Sequence, residues 1–231
     1  MTTLLEAQSL SAGYGKMAVV RDLDLHVDAG EVVALLGANG AGKTTTLLTL
    51  AGELMPMSGA IRLFGEPTTA PMHTRCRNGL GYLTEERSVI MGMSVADNLK
   101  LAGVAPEVAC GYFPALERIL DRGAGLCSGG EQQMLSLARA LGRQPKVLLA
   151  DELSLGLAPI IVGNLLRAVR EAADGGVGVL LVEQHVRQAL TIADRAYVME
   201  RGRIVISGTR DEVAGQLDRI ESAYLAGGPS S

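Results

Sequence analysis

Short apolar runs bounded by glycine alternate along this chain with longer stretches of helical period. Residues 4–30 alternate apolar and polar positions and are punctuated by Ser11-Ala12-Gly13-Tyr14-Gly15, a pattern that predicts antiparallel strands. Glu31-Val32-Val33-Ala34-Leu35-Leu36 is continuous enough to predict a buried strand, and Thr45 to Ala51 reads as a helix. A strand is predicted near Ala60 to Phe64, a loop with a short helix over 66–79, and a strand ending at Gly81-Tyr82-Leu83-Thr84. Residues 94–122 read as helices broken by Gly103, Pro106, Gly111 and Pro114. Met134, Leu135, Leu137, Ala138 and Leu141 share one face of a helix that opens near Ser128 and runs to about Gly142. Val147-Leu148-Leu149-Ala150 predicts a second buried strand, 159–174 a helix, 177–182 a third buried strand and 186–193 a helix. Residues 196–206 read as a hairpin around Glu200-Arg201-Gly202, and Gly227 to Ser231 as a disordered tail. No internal repeat is visible. Strands alternating with helices imply an α/β domain with a mainly parallel sheet.

Composition narrows the function classes. A chain of 231 residues with 48% hydrophobic content can bury the core of one domain. The net charge of −4 offers no basic field, which argues against nucleic acid as a partner. Cys76, Cys110 and Cys127 are odd in number and scattered, so they predict reduced thiols rather than disulfides or zinc ligands. No apolar run reaches the roughly 18 residues of a membrane helix, and Met1 to Glu6 lacks the pattern of a signal peptide. The mean hydropathy of +0.24 with 20% charged residues is apolar for such a chain and predicts surface covered by partners.

Candidate chemistry begins at Gly37-Ala38-Asn39-Gly40-Ala41-Gly42-Lys43-Thr44, which fits a phosphate-binding loop and lies between a predicted strand and a predicted helix that continues with Thr45. That context aims backbone N–H groups and a helix dipole at one point, an anion site. Lys43 is expected to neutralise the β- and γ-phosphates of a nucleotide and Thr44 to ligate Mg²⁺. Asp151-Glu152 closes the strand from Val147, which places two carboxylates at the carboxyl edge of the sheet beside that loop. There Asp151 is expected to hold Mg²⁺ or its water, and Glu152 to polarise a water attacking the γ-phosphate.

Ser128-Gly129-Gly130-Glu131-Gln132-Gln133 opens the helix that follows. Ser128 with Glu131 also fits a helix capping box. Phosphate loop, this stretch and the Asp-Glu strand occur in the order found in ATP-binding cassette (ABC) ATPases, which nearly the whole chain resembles. The resemblance implies a P-loop NTPase with a mainly parallel core, an antiparallel β subdomain and a helical subdomain inserted at about 86–143, all within one domain over 1–231. It implies ATP and Mg²⁺ as ligands. It also implies that Ser128, Gly129, Gly130 and Glu131 of one subunit meet the γ-phosphate held by another, and that Tyr14 stacks on adenine. Ser128 to Met134, Ser154-Leu155-Gly156-Leu157-Ala158-Pro159, Val182-Glu183-Gln184-His185-Val186 and Ala193 to Gly202 are most similar to the ATPases of branched-chain amino acid importers. That likeness implies membrane permease subunits, a second ATPase subunit and an extracytoplasmic solute-binding protein as partners, with the chain peripheral on the cytoplasmic face of the membrane.

The chain departs from the wider family at several positions. Glu85 stands where a Gln usually contacts Mg²⁺, and Gln184 stands at the switch histidine position with His185 one residue on. Cys127 replaces Leu, Leu153 replaces Pro, and Ala158 replaces an Asp. Cys127 has two readings: a thiol activated by the helix start, or a small residue filling buried space. Glu85 and Ser128 are 43 positions apart, shorter than in similar chains by about ten residues, roughly three helical turns. Two rival readings remain open: a degenerate ATP-binding partner with little hydrolysis, and a cassette ATPase that serves no transporter. The second usually brings a coiled coil, a zinc insert or a basic patch, and none is present.

Overall fold

The structure, a computed structural model, describes residues 2–217. The tail expected to be disordered lies outside the described residues. The N-terminal third is a strand-rich lobe. β1 (Thr3–Tyr14) pairs antiparallel with β2 (Met17–Asp28). The turn between them is Gly15-Lys16, with Gly15 at φ 60°, so Ser11 to Gly13 continue the strand rather than break it. β3 (Val32–Leu36) follows, then the phosphate loop, then α1 (Lys43–Ala51). β4 (Ser58–Leu63) pairs with β1 and with the short β5 (Glu66–Pro67), which completes a four-stranded antiparallel sheet. Then α2 (Met72–Arg77) leads into β6 (Leu80–Leu83).

The helical region holds α3 (Val95–Leu101), α4 (Pro106–Tyr112), a 3₁₀ turn over Pro114–Ile119 and α5 (Gly129–Gly142). Gly111 sits inside α4 and does not break it; the helix ends at Tyr112, ahead of the residue that Pro114 keeps out of helical geometry. β7 (Val147–Asp151), α6 (Pro159–Asp174), β8 (Gly178–Glu183) and α7 (Val186–Leu190) follow. The chain closes with the hairpin β9 (Arg195–Glu200) and β10 (Arg203–Thr209), and with α8 (Arg210–Ala214), a helix the apolar pattern does not signal.

The second sheet has six strands in the order β10-β9-β3-β8-β7-β6, all parallel except β10. Its inner strands β3, β7 and β8 are buried along their whole length. That is why they read as unbroken apolar runs rather than alternating ones. Alternate residues face different cores. Val33, Leu35, Leu149 and Leu180 pack with α1 and the antiparallel sheet. Val32, Ala34, Leu148 and Leu181 pack with the helices on the other side. The helical region has its own buried side chains: Leu99, Val104, Phe113 and Leu116 join the same cluster as the sheet.

Register brings the carboxyl ends of four neighbouring strands to one edge. Leu36 pairs with Glu183, Val182 with Asp151, and Ala150 with Leu83. The loops after β3, β6, β7 and β8 therefore leave the sheet side by side, the place where α/β sheets bind ligands.

Candidate active site

The phosphate loop closes on its own lysine. Lys43 is 5% exposed, and its Nζ donates to the carbonyls of Gly37 at 2.8 Å and Ala38 at 3.3 Å. It also lies 3.6 Å from Oε1 of Glu152. The glycines have local causes. A Cβ on Gly37 would stand 2.7 Å from the Met199 carbonyl, and Gly42, which precedes α1, holds φ 108°. No side chain caps α1, and its first residues Lys43, Thr44 and Thr45 line the cleft, which leaves the N–H groups of its first turn available to an anion.

The two carboxylates after β7 have different surroundings. Asp151 is 2% exposed, and its Oδ1 has no hydrogen-bond partner. Burial first, then the charges of Glu152 and Glu85, push its carboxyl up to about 6, while Lys43 and a hydrogen bond with Thr44 pull the other way. An orphaned buried oxygen on a carboxyl that resists ionisation fits a cation site, because a cation would remove both penalties. Among the described residues no group of three His, Cys, Asp or Glu side chains forms a metal cluster. Mg²⁺ is commonly held by one or two carboxylates together with substrate phosphates. Glu152 is partly exposed at the cleft and stands at φ 45°.

A cleft of about 380 Å³ is lined by Asn39, Gly40, Gly42, Lys43, Thr44, Thr45, Glu85, Glu152 and Gln184, with Val19 and Leu155; the buried Asp151 does not line it. The expected base, lysine, hydroxyl and switch amide thus converge. The family model described as ABC transporter matches residues 20–154. The chain is an ABC transporter ATPase. Two relatives span nearly all of it. The high-affinity branched-chain amino acid transport ATP-binding protein BraG of Pseudomonas aeruginosa is 41% identical, over 97% of this chain and 100% of BraG. The lipopolysaccharide export system ATP-binding protein LptB of Acidithiobacillus ferridurans is 40% identical, over 97% and 98%. A solved ATP binding subunit of an ABC transporter is similar with a TM-score of 0.82 at 29% identity, covering 96% of this chain and 99% of that one.

Other expected residues of this ABC ATPase lie apart from the cleft. Tyr14 is 55% exposed at the end of β1 and does not line the cleft, whereas Val19 of β2 does. Ser128, Gly129, Gly130 and Glu131 open α5 without lining the cleft of their own chain. Both halves of the capping box form: Glu131 N donates to the Ser128 hydroxyl, and Ser128 N donates to Glu131 Oε2 at 2.6 Å. The backbone bond from Ser128 is the main reason the Glu131 carboxyl is held below its usual range. A Cβ on Gly130 would come 3.0 Å from Ile161, so this glycine also allows α5 and α6 to approach.

The activated-thiol reading of Cys127 is wrong. The side chain is buried, Sγ donates to the Gly123 carbonyl at 3.7 Å, and burial together with the Glu131 charge raises the thiol pKa. Cys127 fills space. Gln184 lines the cleft, whereas His185 precedes α7 and is exposed. Sequence reasoning missed Val19, Leu155 and the buried pair Ser154 and Glu183. The last two sit beside Glu152 and Gln184 in sequence, which was the available signal.

Proposed function

We propose that this ATPase energises uptake of branched-chain amino acids, or of related small solutes, as the peripheral cytoplasmic-face subunit of an importer. The match to BraG over its whole length supports this, with the importer-like stretches Ser128 to Met134 and Ser154 to Pro159. The observation that carries the hydrolytic half is the convergence of Lys43, Thr44, Glu85, Glu152 and Gln184 on one cleft.

On this reading ATP draws Lys43 away from the Gly37 carbonyl and from Glu152, because phosphate oxygens offer it stronger charge-assisted bonds. Glu152, released from that contact, holds the attacking water and takes its proton. The Gln184 amide donates to the γ-phosphate and stays neutral at every pH. Thr44, Asp151 and Glu85 would hold Mg²⁺, which supplies charge neutralisation on the phosphates. Ser128, Gly129 and Gly130 would complete the site of a second ATPase subunit, since they stand away from their own cleft. Leu126, Leu155 and Ile160 are exposed apolar residues beside these loops, and a second subunit would cover them. Permease subunits would dock at a groove of about 200 Å³ that includes Leu101, Arg139 and Arg143. An extracytoplasmic solute-binding protein would deliver the solute.

LptB at 40% identity supports a second reading, outward lipopolysaccharide transport. Cells lacking this gene separate the two. The import reading predicts lost uptake of labelled leucine, restored by the wild-type chain but not by Glu152→Gln. Intact leucine uptake with lipopolysaccharide missing from the cell surface would instead establish export.

A further inference from the structure

We propose that Glu183 is a positioning residue for hydrolysis, its buried carboxylate tying the turn that carries Glu152 to the strand end that presents Gln184. The proposal rests on reading the cleft as the hydrolytic site. Glu183 closes β8 and is 2% exposed. Its Oε1 accepts from the backbone N–H of Ser154 at 3.0 Å, and its Oε2 accepts from the Ser154 hydroxyl at 2.8 Å. One residue earlier in β8, the Val182 carbonyl accepts from the backbone N–H of Glu152 at 2.9 Å. The turn from Glu152 to Ser154 is therefore fastened to β8 at both ends, and Leu153 between them is buried in the core cluster on the helical side.

This fastening answers a local problem. Glu152 holds φ 45°, a conformation that a residue with a Cβ keeps only where its surroundings over-determine it. A carboxyl at position 183 is a costly way to fill buried space. Desolvation raises its pKa, and both bonds from Ser154 oppose that rise. What the carboxyl supplies, and an apolar residue could not, is a pair of acceptors in the geometry of one serine. Gln184 follows Glu183 directly, so a shift at residue 183 moves both the base and the switch amide of the cleft. A misplacement of about 1 Å at such groups can cost about 100-fold in rate.

Three variants test the tie: Glu183→Leu, which removes both acceptors; Glu183→Gln, which keeps one acceptor and turns the other into a donor; and Ser154→Ala. In the Gln variant the side-chain carbonyl accepts from Ser154 N–H and the amide donates to the rotated hydroxyl. Expected in Glu183→Leu is a kcat lowered by about 30-fold or more with the KM for ATP within about threefold, since position and not binding is lost. Glu183→Gln should stay within about threefold of wild type in both constants. Hydrogen exchange over residues 152–157 should quicken in Glu183→Leu and not in Glu183→Gln. A Glu183→Leu protein with wild-type kcat and unchanged exchange overturns the proposal, as does a Gln variant as impaired as the Leu variant. If Glu183→Leu does not fold, Ser154→Ala decides: kcat should fall about fivefold at unchanged KM with faster exchange, and wild-type values overturn the tie. A wild-type chain without ATPase turnover would sink the hydrolytic reading alone, and the exchange data would still decide whether the tie exists.

Discussion

Replacing Asp151 by Asn separates what this residue does to the fold from what it does for nucleotide. The buried carboxyl is raised from 3.8 to about 6 by desolvation and by Glu152 and Glu85. An acid whose folded pKa lies above its unfolded value weakens the fold as it ionises: the fold is least affected below pH 3.8 and loses stability until the pH passes about 6. At 1.36 kcal/mol per pKa unit the loss is about 3 kcal/mol at pH 8 and about 1.5 kcal/mol at pH 5. Asparagine does not titrate, but its NH₂ brings an unpaired donor into the site of the orphaned oxygen, a cost that is the same at both pH values. The informative quantity is therefore the change with pH. Urea denaturation with Mg²⁺ chelated should show the variant gaining about 1.5 kcal/mol on wild type between pH 5 and pH 8. The same substitution should remove most Mg²⁺-dependent ATPase turnover. A stability difference that does not change with pH would refute the placement of Asp151 as a buried, uncompensated carboxylate.

Lys43→Ala should weaken ATP binding by about 10- to 150-fold, the loss of a charge-assisted hydrogen bond of about 1.5–3 kcal/mol, while the protein still folds. Titration with a fluorescent ATP analogue and a thermal melt check both halves, and unchanged affinity would remove Lys43 from the site. Gln184→Ala should slow turnover more than His185→Ala, because Gln184 lines the cleft and His185 is exposed. The reverse order in steady-state ATPase assays would move the switch role to His185.

The elements most legible in the sequence were those whose environment is uniform. β3, β7 and β8 are buried on both faces, so their apolar runs had one reading. The helix at Ser128 announced itself twice, by its apolar face and by its cap. Lys43, Glu85, Glu152 and Gln184 were readable because each lies on or just after the end of a parallel strand, or at the start of α1, and register brings those points together. Gly15, not Ser11 to Gly13, makes the first turn, because β1 carries irregularities in register that local composition does not reveal. The short α8 is stabilised at its start by Thr209 and Glu212, a capping box that apolar periodicity overlooks. Cys127 had two readings in the sequence, an activated thiol at a helix start or a buried space-filler, and its burial, which local sequence does not reveal, decides for the second. The tie between Ser154 and Glu183 spans 29 residues and exists only because β7 and β8 are neighbours.

The most direct test of the account is a single-turnover measurement on Glu152→Gln with Mg²⁺ and ATP, in the presence of whichever second ATPase subunit completes the site. The amide keeps the shape of the glutamate and cannot act as a base. The account predicts ATP affinity close to wild type, hydrolysis slowed by about 100-fold or more, and accumulation of an ATP-bound dimer visible by size-exclusion chromatography. Wild-type turnover in Glu152→Gln would contradict it, because the cleft would then hydrolyse ATP without the carboxylate that it places there.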